Sequence, residues 1–154
     1  MLKIEQILRN EKGDNVLGES FEQIQLKNGF IFVKKEGLKG LYRIIDNYKK
    51  ILNPEWDEIR FNGKYIIAER YSKIALFDYD GKEILQRRWD RILLYEKGIL
   101  VSEGNFQGFY SYTGEAILDC FWRRIEPYPK VMLAFRENGA KGVTFDYNGN
   151  QILN

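Results

Sequence analysis

Trp56, Trp89 and Trp122 lie 33 residues apart, and Phe21 stands 35 residues before the first of them. A large ring returning at a fixed interval of this length marks a chain built from repeated supersecondary units, each exposing an apolar face that only a neighbour can cover. The surrounding residues keep the register. An isoleucine follows three residues after each ring (Ile24, Ile59, Ile92, Ile125), and an apolar run comes next, starting at Phe30, Tyr65, Ile99 and Val131. A third run then ends in a turn, with Tyr48, Gly81, Gly114 and Gly149 at one position, and GDNVL at Gly13 matches GKEIL at Gly81. Four units therefore run from Gly13 to Asn148, and GNQILN begins a fifth.

Short runs rich in Ile, Val, Phe and Tyr, separated by DG, TG, NG and KG, predict about four strands per unit. The expected fold is all-β, an array of four repeats of 33 to 35 residues built from short antiparallel strands and occupying residues 13–154. Pro54 lacks an N–H and belongs at a strand start or bend. Ahead of the array, Leu2, Ile4, Ile7 and Leu8 share one helical face, which predicts a capping helix over residues 1–12. The units either form an open twisted stack or close into a small propeller. Blades of the WD40 type run about 40 to 45 residues, so the shorter period favours the stack.

The stretch KGLYRIIDNYKKILNPEWDEI, Lys39 to Ile59, resembles the bacterial WG repeat, and AKGVTFDYNGNQIL near the C-terminus is a second, partial match. The tryptophan that precedes glycine in that family is replaced here by Lys39, Gln107 and Lys141 before Gly40, Gly108 and Gly142. The resemblance implies a β-repeat binding scaffold with no catalytic residues to carry over.

The chain contains no histidine, which excludes Ser-His-Asp and Cys-His catalysis and His-ligated metals. Its single cysteine, Cys120, cannot close an intrachain disulfide, has no histidine base to activate it, and is expected in the core. That cysteine usage fits a reducing compartment. The first residues are interrupted by Lys3, Glu5, Gln6 and Arg9, unlike a signal peptide or a membrane span, so a cytoplasmic location is expected. The acidic stretch Asp78 to Glu83 is similar to part of a calcium loop, but the equivalents SYTGEA and DYNGNQ keep the turn and lose the acids, so a turn explains it. No two of the 22 acids are singled out as a glycosidase pair. No cofactor, metal or catalytic residue is therefore expected.

Arginines are the remaining feature with chemical content. Arg87, Arg88 and Arg91 bracket Trp89, Arg123 and Arg124 follow Trp122, and the period makes Arg91 and Arg124 equivalent. Guanidinium groups offer planar paired donors to carboxylate or phosphate, so the five are candidate partner-binding residues. The competing reading is an ion-pair ladder with Asp57, Glu58, Asp90 and Asp119. Charge is unevenly spread: Phe21–Glu55 carries +3 and Trp89–Phe121 carries −3, within a total of +2. A general nucleic-acid binder is usually more basic. The expected function is a non-catalytic protein-binding module, bacterial or phage, that docks on and inhibits a larger protein such as a nuclease or defence effector. A nucleic-acid binder using the arginines with stacking aromatics, and a carbohydrate-active enzyme, are the alternatives.

Overall fold

A computed structural model describes residues 4–152. It holds four antiparallel sheets and, among the described residues, no helix. In the first sheet β1 (Gln23–Lys27), β2 (Phe30–Lys35), β3 (Leu38–Arg43) and β4 (Lys49–Trp56) lie side by side in chain order. The second has three strands, β5 (Glu58–Asn62), β6 (Tyr65–Arg70) and β7 (Lys73–Asp78). The third runs β8 (Arg91–Tyr95), β9 (Gly98–Glu103), β10 (Phe106–Tyr110) and β11 (Ala116–Trp122). The fourth runs β12 (Arg124–Pro127), β13 (Met132–Phe135), β14 (Val143–Phe145) and β15 (Gln151–Ile152). The chain divides into two compact units, one reaching to Tyr71 and adding Phe77–Lys82, the other comprising Ser72–Leu76 and the chain from Glu83 onward.

The expected N-terminal helix is replaced by extended chain. Residues 1–3, which include Leu2, lie outside the described residues. Gln6 exchanges two backbone hydrogen bonds with Phe21, at 2.6 and 2.8 Å, and Arg9 bridges Asn15. These bonds outweigh a weak helical pattern: in the extended chain Leu8 packs against the Phe21 cluster, while Ile4 is left 85% exposed. The segment repeats what happens further on, where Lys39 pairs with Trp56, Ile74 with Trp89 and Gln107 with Trp122. The array thus begins earlier than Gly13.

The repeating rings make the core. Phe21, Trp56, Trp89 and Trp122 are all buried. Each meets a second aromatic at its own repeat position: Tyr42 at 6.0 Å, Phe77 at 5.5 Å, Tyr110 at 5.4 Å and Phe145 at 5.5 Å between centroids. Tilted and edge-on ring pairs add to the area they bury. No polar or charged side chain is buried among the described residues.

Turns set the period. Gly13, Gly81, Gly114 and Gly149 all have φ of 86–89°, and Tyr48, at the same repeat position, is forced to 59°. A Cβ at Gly81, Gly114 or Gly149 would strike the carbonyl oxygen of Ile51, Ile84 or Ile117, each just after the preceding turn. A side-chain acceptor closes each of the four glycine loops: Asn10, Asp78, Ser111 and Asp146 accept from the backbone N–H groups two and four residues on. Pro54 sits in a bulge. Between the pairs Lys39–Trp56 and Leu41–Leu52, β4 arches over Gly40, where a Cβ would come within 2.8 Å of the Pro54 nitrogen. Strand β11 arches likewise over Gly108 at Cys120.

Candidate functional site

All five expected arginines fall in the second compact unit, and all five are exposed. Arg91 opens β8 opposite Ser102, and Arg124 opens β12 opposite Phe135, so the two hold the same place in successive sheets. The residues before them confirm the match: Asp90 N–H donates to the Ser102 carbonyl and Arg123 N–H to that of Phe135. These sheets are tied by the Gln107 side chain, whose oxygen accepts from Ile125 N–H at 2.8 Å.

Among the described residues, the ion pairs of these arginines run to glutamates. Arg87 pairs with Glu103, Arg88 lies 3.7 Å from Glu83, and Arg124 lies 3.0 Å from Glu126. Asp57 instead holds Arg70 at 2.7 Å and Asp90 holds Lys73 at 2.5 Å. Both aspartates also accept from the backbone N–H fourteen residues on, Tyr71 and Gly104, so they brace hairpins. The Asp57 carboxyl is held below the usual range by the Tyr71 N–H and then Arg70; Asp90 is held there by Lys73 and then the Gly104 N–H. Among the described residues, Arg91 and Arg123 have no carboxylate within ion-pair reach.

Aromatic rings share the surface with these guanidinium groups. Arg87 covers the Trp89 ring at 4.2 Å, Arg123 covers Phe106 at 4.9 Å, and Arg124 covers Phe135 at 4.2 Å. Phe121 stacks on Trp122 at 5.2 Å and 25°, and Arg136 lies over both rings, at 5.6 and 5.1 Å. Phe106 and Phe121 remain 41% and 47% exposed. Phe106 pairs across the hairpin with Glu103, the partner of Arg87, which brings the Arg87 and Arg123 contacts side by side.

Sequence reasoning missed Phe106, Phe121, Arg136 and the glutamates. The interval alone holds the signal for Phe121, since each repeat ring has a neighbour one residue before it, and only this one is aromatic. Glutamate partners depend on how long side chains cross between strands, which the register does not reveal. Cys120 is half-buried rather than fully in the core; burial pushes its thiol up, away from a reactive thiolate. Asp78 spends one carboxylate oxygen on the turn N–H groups, and Asp80 pairs with Arg43 at 2.8 Å, so the acidic loop is occupied by its own structure. Among the described residues no group of three or more His, Cys, Asp or Glu is placed to hold a metal. None of them forms a helix long and apolar enough to cross a membrane.

No family model matches the chain, and no curated protein is similar to it. Solved structures are. Hsv2 of Kluyveromyces lactis with loop 6CD replaced by a Gly-Ser linker is 15% identical with a TM-score of 0.41, over 83% of this chain and 49% of that one. Hsv2 of Kluyveromyces marxianus is 11% identical with a TM-score of 0.41, over 80% and 44%. PorZ, a bacterial surface component of the type-IX secretion system of Porphyromonas gingivalis, is 9% identical with a TM-score of 0.40, over 88% and 21%. The chain spans about half the length of the Hsv2 structures it matches.

Proposed function

We propose that this protein is a non-catalytic, cytoplasmic binding module of bacterial or phage origin whose four sheets are copies of one degenerate WG-like unit. It docks a larger protein through the arginine and phenylalanine patch of its second compact unit and inhibits that protein by covering it. One observation carries the reading: Phe106 and Phe121 stay about half exposed while guanidinium groups lie over them. Arginine and aromatic side chains are enriched where proteins meet, and they supply most of the energy there. Glu83, Glu103 and Glu126 interleave with the arginines, a mixed pattern that suits a protein face better than a phosphate backbone.

The WG-like reading draws support from the glycines at 40 and 108, which are needed because a bulged strand passes directly over each. To test docking, Arg91 and Arg124 are both changed to Glu, and separately Phe121 to Ser, and each protein is used for capture from a bacterial lysate alongside a thermal melt. Loss of one captured protein band with an unchanged melt is the expected result. A band that disappears on nuclease treatment, or capture that survives both changes, overturns the proposal.

A further inference from the structure

Lys34 and Lys39 stand directly opposite each other on β2 and β3. Like charges so placed oppose folding, and only one of the two is neutralised: Lys39 reaches Glu58 at 2.8 Å. Lys34 has no carboxylate partner among the described residues, and neither do Lys27 and Arg60. These cations are not scattered. All four line one cleft of about 700 Å³ inside the first compact unit, and among the described residues that lining contains no carboxylate. The Phe21–Glu55 segment that supplies three of them is the most basic of the chain, at +3.

The remaining walls are chemically specific. Phe32 and Phe61 are half-buried and meet edge-on at 5.7 Å, forming an apolar floor. Gln25, directly opposite Phe32, is exposed with Gln23 and Asn28 beside it, and these amides make no hydrogen bond among the described residues. The volume falls in the range of small-molecule sites, about 300 to 1,000 Å³, which combine an apolar surface with a few converging polar groups. A bare phosphate would leave the phenylalanines wet, and a neutral ring would leave Lys34, Lys27 and Arg60 uncompensated. From this combination we infer that the cleft binds a nucleotide-sized organic phosphate. Its phosphate groups sit among Lys27, Lys34 and Arg60, its ring lies against Phe32 and Phe61, and the amides take its polar edge. The site is separate from the arginine patch and does not rest on it.

The test is a titration of isotope-labelled full-length protein with ADP, pyrophosphate and adenosine, following backbone amide shifts. ADP should move amides of β1, β2 and β5 and bind more tightly than either fragment. Lys34→Gln and Arg60→Gln should each weaken ADP about tenfold, the loss of one charged contact. Lys34→Gln should at the same time raise the melting temperature, because it removes the like-charge pair. The double change Arg91→Glu and Arg124→Glu should leave ADP binding intact. Absence of ADP-dependent shifts in this cleft, equal affinity for pyrophosphate and ADP, or undiminished ADP binding by Lys34→Gln and Arg60→Gln would each overturn the inference.

Discussion

Strands β1 and β8 occupy the same place in the repeat and present different chemistry. Gln23, Gln25 and Lys27 project from one, and Arg91, Leu93 and Tyr95 from the other, all six exposed. Between them the inward residue is the same: Ile24 packs against the Phe21 cluster and Ile92 is buried. Alternation along a strand separates the two jobs, since neighbouring residues face opposite sides. The framework is written in one set of positions and the surface in the other, so a polar cleft and an arginine patch coexist on one repeated backbone.

That division is broken first by attacking a framework ring. Trp89→Ala should cost about 3 to 5 kcal/mol in urea unfolding, as for other large-to-small core changes. Trp89→Phe should cost much less, because the buried indole N–H has no hydrogen-bond partner to lose. Equal losses for the two would show that a single six-membered ring cannot fill the site.

The turns sharpen the comparison. Gly114→Ala adds a Cβ that strikes the Ile84 carbonyl at a φ of 89°, and should cost about 2 to 4 kcal/mol. Gly104→Ala, with φ of 57° and open space around it, should cost only about 1 kcal/mol. Unfolding midpoints of the two variants measure the difference.

Acid probes the hairpin braces. Asp57 and Asp90 are held below the ordinary value of 3.8 in the folded chain, so the unfolded chain binds more protons as the solution is acidified. Their contribution is complete above that value and is lost as pH falls through the lower folded values. Urea midpoints measured downward from pH 5 should drop, and Asp90→Asn should flatten the decline. The smallest effect is a gain. Glu36 adopts φ of 51° before Gly37, a turn that Asn fills with less strain, so Glu36→Asn should stabilise by about 0.5 kcal/mol without altering either surface.

Much of this framework was legible in the residues. The ring spacing located the core, the turn glycines located the loops, and the period correctly equated Arg91 with Arg124. The N-terminal segment was misread because Ile4, Ile7 and Leu8 fit a helical face, whereas Asn10 and Gly13 already carried the spacing of Asp78 and Gly81. Following that turn backward would have placed Gln6 where Lys39 and Gln107 stand. The three-stranded second sheet could not be read: Ile84 and Trp89 do hydrogen-bond to Leu76 and Ile74, but the residues between them form no strand. Partners of long side chains were equally hidden, and so was the cleft, which needs the β2 and β3 register and the facing β5 together.

The close approach of Gly81, Gly114 and Gly149 to the isoleucine carbonyl just after the turn before each acts as a clasp. Gly81 lies against Ile51, Gly114 against Ile84 and Gly149 against Ile117, so successive turns are held together at those points. A Cβ at Gly37, Gly63, Gly104 or Gly139 would meet nothing within 4 Å. The hairpins at Gly63, Gly104 and Gly139 lie between these fixed points, so a gene for such a chain can gain or lose codons there with little penalty, whereas a change at the turn itself would take the glycine away from its carbonyl.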